Sequence, residues 1–371
     1  MSKCKYTSIG GQALIEGIMM KSPEKTSLAV RLPDGSIDIS PMEYTSLRSR
    51  YKILNIPVIR GVVGFVESMV QGYKAMMISV DKSGFADLED EKKSSVKAKS
   101  VAESEADENE ISAEANTDEK SKKSTNVLLT VAMIIGTVLG VALAVILFML
   151  LPRLFVDGIE KVFDTELPKL ARSGIEQFLK LAIFVSYMWA VSFMKDIKRV
   201  FMYHGAEHKT IFCYEKGLEL TVENVRKQSR FHPRCGTSFM ILMILISVIF
   251  STVIQMIFPQ VYTIKWLWVI AKILMVPLIC GVGFEVLKMC GKYDNVFTKI
   301  ISAPGLWMQR ISTKEPEDCM IEIAIAALRD CEPQNPDIDR AVDKCFVPTE
   351  EISEDAAEET EEIKENTDDN I

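Results

Sequence analysis

The chain is expected to be a mainly α, polytopic helical membrane protein of about four spans with a small α/β cytoplasmic portion. Three observations carry this reading. Val127 to Leu151 runs 25 residues without a charge and Thr237 to Phe258 runs 22, each longer than the ~20 residues that cross a hydrocarbon core as a helix. Two less pure apolar runs, Leu179 to Met194 and Trp266 to Phe284, alternate with them. All three histidines fall within 29 positions, on a segment held between apolar runs.

The two weaker runs need more argument. Leu179 to Met194 is short and has Lys180 at its start; Trp266 to Phe284 holds Lys272 and Pro277. End charges can snorkel toward the interface. Lys272 either snorkels or lines a polar cavity. Orientation follows from basic residues. Nine Lys or Arg lie from Lys195 to Arg234, whereas the loop between the third and fourth runs offers only Lys265. The histidine segment is therefore expected in the cytoplasm, with both termini there too. The five basic residues between positions 152 and 180 argue mildly against placing that loop outside.

Around this membrane region, 126–287, with its histidine-bearing loop 195–236, the remaining chain divides by composition. Residues 1–80 read as a cytoplasmic segment: strand-like pieces at Leu28 to Leu32 and Ile37 to Ile39 flank Pro33-Asp34-Gly35, a hairpin signal. An apolar, glycine-bearing helix from Val58 to Val80, containing Glu67, is expected to lie in the membrane interface or to re-enter the bilayer. Residues 81–125 form a charged linker and 348–371 an acidic tail with eleven acidic residues against Lys364. Both are expected to be disordered, since such composition buries too little apolar surface to offset chain entropy. Between them, 288–347 is a C-terminal cytoplasmic segment. Its helix from Asp318 to Cys331 repeats Met320, Ile321, Ile323, Ala324, Ala327 and Leu328 with a helical period, a packing face. The net charge of −8 and the lack of a basic stripe or aromatic platform argue against a nucleic-acid partner. The lipid bilayer is the expected partner; oligomeric state is not legible.

The chemistry concentrates at His204-Gly-Ala-Glu207-His208 and His232-Pro-Arg234-Cys235. Residues four apart share a helix face, so His204 and His208 can present two imidazoles to one metal ion with Glu207 beside them. His-x-x-Glu-His is a zinc-hydrolase pattern in which the glutamate takes a proton from the attacking water. A third ligand is needed, and His232, Cys235 and Glu285 are the candidates. Cys235 precedes Gly236-Thr237-Ser238 at the start of a span, where a helix N-terminus favours thiolate. The metal residues are thus His204, His208, His232 and Cys235, and the catalytic residues Glu207, Cys235 and Arg234, with Arg234 or Lys209 holding an anionic lipid or peptide substrate. The expected cofactor is a divalent transition metal, zinc by its donors. A structural or anion-binding histidine cluster is the competing reading.

Gly10-Gly-Gln-Ala-Leu-Ile-Glu16-Gly-Ile-Met-Met20, Pro57-Val-Ile-Arg60-Gly61, His204-Gly-Ala-Glu-His-Lys-Thr210, Arg230-Phe-His-Pro-Arg-Cys-Gly-Thr-Ser238, and Ala303-Pro-Gly-Leu-Trp307 through Glu317 together resemble the YqhQ family. These are bacterial multi-pass membrane proteins. The resemblance covers nearly the whole chain outside the linker and tail, and implies a metal-dependent enzyme of the plasma membrane with no established substrate. Two function classes follow: a hydrolase-like enzyme at the cytoplasmic face, or a non-enzymatic scaffold or small-solute transporter with a structural or regulatory histidine site.

Overall fold

The computed structural model describes residues 7, 9–43, 46–84, 135–136, 138–233, 235–258, 260–261, 265–293 and 295–333. The expected linker and tail lie largely outside these residues. The chain forms two compact units: one from Met1–Gly84, Ser192–Ile246 and Leu274–Ile371, the other from Phe85–Val191 and Ser247–Ile273.

In the first unit, four short strands form an antiparallel meander in the order β1 (Gly10–Leu14), β2 (Gly17–Lys21), β3 (Thr26–Arg31) and β4 (Ile37–Pro41). The registers pair Leu14 with Gly17, Ile18 with Ala29 and Ala29 with Ile39. The β3–β4 turn is Pro33-Asp34-Gly35. Gly35 takes φ 86°, a left-handed conformation that glycine adopts without a Cβ clash, and its N–H donates to the Leu32 carbonyl at 2.9 Å. The β1–β2 turn sets Glu16 at φ 51°, which an L side chain rarely adopts. It is held there by Arg199, whose Nη2 reaches Glu16 Oε2 at 2.7 Å, and by the Tyr203 hydroxyl at 3.1 Å.

Strand alternation gives this sheet two buried faces. Ile18, Met20 and Ala29 pack with Tyr203, Ala206, Met320, Ile321 and Ala324 of two helices, α4 (Lys195–Glu215) and α9 (Asp318–Cys331). Leu14, Met19, Leu28 and Val30 pack against Ala75, Met76 and Ile78 of α1 (Ile59–Lys82). Each large apolar side chain removed from water here contributes about 1.5–3 kcal/mol. The same alternation sends Gly11 toward α4 and Gln12 toward α1, which positions the site described below.

Helix α1 is inverted relative to an ordinary surface helix. Its buried stripe is small or polar (Gly61, Gly64, Glu67, Gln71, Gly72, Ala75, Ser79), while Ile59, Val66, Val70 and Tyr73 are exposed. Small residues let backbones approach closely, as between helices in a membrane. At its start, Val58 adopts φ 71° and ψ −54°, the strained γ-turn region for a β-branched residue. This turn lies against Gly281, where a Cβ would come within 2.4 Å of Val58 Cγ1, and Gly61 lies against the same residue and Phe284.

Four helices are long and apolar enough to cross a membrane: Val138–Val162 (α2), Ala171–Val191 within α3 (Lys169–Val191), Gly236–Ile257 (α6) and Ile270–Cys290 within α7 (Lys265–Lys292). The third matches the expected run within one residue. The first is shifted toward the C-terminus, and most of its expected opening lies outside the described residues. The second begins eight residues earlier than the apolar pattern suggested, because α3 takes Arg172, Glu176 and Lys180 into the helix on charged partners. The fourth continues through Pro277. The first unit also contains α5 (Val222–Arg226), α8 (Val296–Ser312), which starts from a capping box at Asn295 and Thr298, and two single turns, Leu47–Arg50 and Lys52–Asn55.

Candidate metal centre

Helix α4 carries His204, Glu207 and His208 on adjoining faces. The chain then returns through Arg230–Cys235 to enter α6, and α8 closes over the return. Gln309 of α8 holds the return by its backbone: its Oε1 accepts from the His232 N–H at 2.7 Å, and its Nε2 donates to the His232 carbonyl at 2.7 Å and to Ser238 Oγ at 2.9 Å. Close approach is needed twice. A Cβ on Gly305 would come within 2.6 Å of Ser238, and one on Gly205 within 2.0 Å of the Lys314 carbonyl oxygen. The glycine inside the His-Gly-Ala-Glu-His motif thus lets the segment after α8 cross α4.

One nitrogen from each of His204 and His208 and the Cys235 sulfur lie within 4.8 Å of one another. His204 Nε2 is 3.1 Å from the sulfur. The other ring nitrogens are committed: His204 Nδ1 donates to the Ser312 carbonyl at 2.9 Å, and His208 Nδ1 donates to the Arg230 carbonyl. Backbone carbonyls therefore fix both tautomers and aim both Nε2 atoms at the sulfur, as outer partners do in metal centres. The Cys235 sulfur also accepts from the Thr237 N–H at 3.4 Å, in the first turn of α6.

Burial would raise the Cys235 thiol, but His204 and His208 outweigh it and hold it well below its ordinary value. Burial likewise disfavours a charged His204, yet the Cys235 sulfur and Glu207 outweigh that and raise it to about 9. Without a metal the two form an imidazolium–thiolate pair. Burial pushes Glu207 up, against the opposing pull of both histidines. Its carboxylate accepts the Gly11 N–H and presses on that residue so closely that a Cβ would sit 2.8 Å from Cδ. Oε2 is buried with no hydrogen-bond partner among the described residues.

The remaining expected residues fall as follows. His232 packs beside the cluster with its ring tilted, 5.5 Å from His208 and 4.6 Å from Phe212, but Nε2 faces Glu215 Oε2 at 3.7 Å and the residue is not one of the three converging donors. Burial depresses its pKa to about 4, so the ring is neutral. Arg234 lies outside the described residues. Lys209 is held by Glu315 at 2.6 Å and by the Arg226 carbonyl at 2.9 Å. Glu285, a candidate third ligand by spacing, is bound to Arg60 instead. Gly11, Gln309, Ser312 and Thr237 also build the site; all four stand in the motifs noted in the sequence, but spacing alone assigns none of Gly11, Gln309 and Ser312 a role there.

Two imidazoles with fixed tautomers, one thiolate and a carboxylate beside them are a donor set that suits zinc. His208, Glu207 and Cys235 are buried, at 2%, 5% and 6% exposure, while His204 is only partly buried.

Fold and site define a largely helical protein with four helices able to cross a membrane and a two-histidine, one-cysteine cluster that could hold a metal. The chain belongs to the family described as "Protein of unknown function (DUF1385)", whose model matches residues 56–334. It is 32% identical over 332 residues to "Uncharacterized protein YqhQ" of Bacillus subtilis (strain 168), covering 89% of this chain and 94% of that protein. No solved structure matches.

Proposed function

We propose that this protein is a metal-dependent, hydrolase-like enzyme acting at the cytoplasmic face of the bacterial plasma membrane. His204, His208 and Cys235 would hold a divalent transition metal, zinc by their chemistry, and Glu207 would be the general base. The observation that carries the reading is Glu207: a buried carboxylate beside three convergent donors, accepting from the Gly11 N–H and with its Oε2 lacking a hydrogen-bond partner among the described residues. When bound at three protein ligands, zinc acidifies a water toward neutrality. Burial raises Glu207 against the opposing pull of both histidines, which strengthens it as a proton acceptor. The carbonyls of Ser312 and Arg230 hold the imidazoles against reorientation.

A membrane-phase substrate, an anionic lipid or a peptide, suits the surroundings. Cys235 stands one residue before a candidate span. Helix α8 exposes Val296, Phe297, Ile300 and Trp307 on one face, and α1 exposes Ile59, Val66, Val70 and Tyr73. Such apolar faces fit the headgroup boundary of a bilayer.

The burial of His208, Glu207 and Cys235 favours a second reading, a structural metal in a scaffold or small-solute transporter. Glu207→Gln separates the two. An enzyme loses function in complementation of a deletion strain while the variant keeps its metal. Full complementation by a metal-replete Glu207→Gln protein removes the enzyme reading, since a structural centre needs the fold but not the base.

A further inference from the structure

The second unit contains a charged cluster that the metal centre does not use. On α3 the polar side chains Arg172, Ser173, Glu176, Gln177 and Lys180 recur at helical spacing within a candidate span. They face inward: Ser173, Glu176 and Gln177 are buried. The other three candidate spans supply partners. Gln255 of α6 donates to Ser173 Oγ at 3.3 Å, Lys272 of α7 lies within hydrogen-bonding reach of Lys180, and Arg153 of α2 lies near Lys272. Lys272 does not stand alone at the interface; its ammonium sits 5.0 Å from the centre of the Trp268 ring and beside a second ammonium.

The charges do not balance locally around the lysines. Arg172 binds Asp157 and Glu160 and stands 3.6 Å from Glu176. Glu160 has a further donor in the Leu167 N–H at 3.2 Å. Among the described residues, Lys180 and Lys272 then share one carboxylate, Glu176, with Arg153 adding a third positive charge. Two ammonium groups in contact cannot donate to each other while both are protonated, and ionisable groups inside spanning helices mark binding sites for ions and substrates. Trp268 forms an apolar wall on one side.

We propose that Lys180, Lys272 and Arg153 form a binding site for a phosphate-class anion, with Glu176 holding the lysines in place when the site is empty. The anion is either a free phosphate or the headgroup of an anionic lipid. This site is independent of the metal-centre reading.

The test uses the full chain in phosphatidylcholine nanodiscs, with Trp189, Trp266 and Trp307 replaced by Phe so that Trp268 alone reports. Inorganic phosphate is titrated at constant ionic strength in one arm, and the phosphatidylglycerol content of the disc is raised in the other. A saturable change in Trp268 emission with phosphate identifies a free anion; one with phosphatidylglycerol alone identifies a lipid headgroup. Lys180→Gln with Lys272→Gln weakens binding by about tenfold or more, and the paired Arg substitutions retain it. Glu176→Gln, which removes the competing carboxylate, tightens binding several-fold and keeps the test valid should the lysine variant fail to fold. The proposal is overturned by no saturable response to either probe, by unchanged binding in the double Gln variant, or by loss of binding in Glu176→Gln.

Discussion

Arg60 and Glu285, 225 positions apart, meet in a bidentate ion pair, Nε to Oε1 at 2.6 Å and Nη2 to Oε2 at 2.5 Å. The pair ties the first turn of α1 to the interior of a candidate span, beside the Gly61–Gly281 contact and the strained Val58 turn. The fork geometry is specific to guanidinium. Arg60→Lys and Glu285→Gln should therefore each loosen α1, and the exchange Arg60→Glu with Glu285→Arg should restore it in part. Protection of α1 from limited proteolysis in lipid discs measures this. Equal protection in wild type and both single variants would show that the glycine contacts alone hold the helix.

The donor geometry makes a metal prediction that separates His232 from its neighbours. Wild type should carry about one equivalent of a transition metal, as expected for one centre. His204→Ala with His208→Ala should lose it, whereas His232→Ala should keep it. In cobalt-loaded protein, Cys235→Ser should abolish the thiolate-to-cobalt charge-transfer absorption. Metal-free wild type by elemental analysis counts against the centre altogether.

Gly205 should be intolerant of the smallest side chain. The Lys314 carbonyl oxygen would stand 2.0 Å from an alanine Cβ there, and backbone cannot yield as a flexible side chain can. Gly205→Ala should destabilise by about 1–3 kcal/mol or more, through overpacking. Alanine at Gly217, whose Cβ would meet nothing within 4 Å, instead tests backbone strain alone, since its φ is 65°. A smaller thermal shift for Gly217→Ala than for Gly205→Ala is the expected order.

His232 gives a pH dependence with a definite sign. Its folded pKa, about 4, lies below the ordinary 6.5 because it is buried. Between these values the unfolded chain binds a proton that the folded chain does not. Stability is thus lost as pH falls from 6.5 toward 4, by at most about 1.4 kcal/mol per pH unit for this one group. Glu207, raised by burial, acts in the opposite sense, so the difference between wild type and His232→Gln isolates the effect. Parallel pH profiles in denaturant unfolding of the metal-free proteins would exclude it.

Several elements were legible because local chemistry decides them. The Pro33-Asp34-Gly35 turn marks the β3–β4 hairpin, the repeat from Met320 to Leu328 marks the packing face of α9, and the charge-free run after Thr237 marks a span within one residue. The first two strands were not legible as strands: Gly10–Leu14 and Gly17–Lys21 are buried on both faces or rich in glycine, so they show no clean alternation. The outer face of α1 read as apolar, but which face the protein keeps could not be read, because Glu67 and Gln71 look like surface residues until Ser46, Leu47, Arg48 and Lys21 are seen around them. The start of α3 was missed because Arg172 and Glu176 break the apolar pattern while pairing with each other.

By itself the sequence determined the helical class and the His204–His208 pair, because helical periodicity and a four-residue spacing act within one segment. Only the tertiary structure chose Cys235 over His232 and Glu285 as the third converging donor, turned Glu285 to Arg60, and brought Gly11 from β1 against Glu207. Those choices depend on side chains that meet across tens to hundreds of positions, where register and backbone clearance decide which atoms come together and spacing along the chain carries no such information.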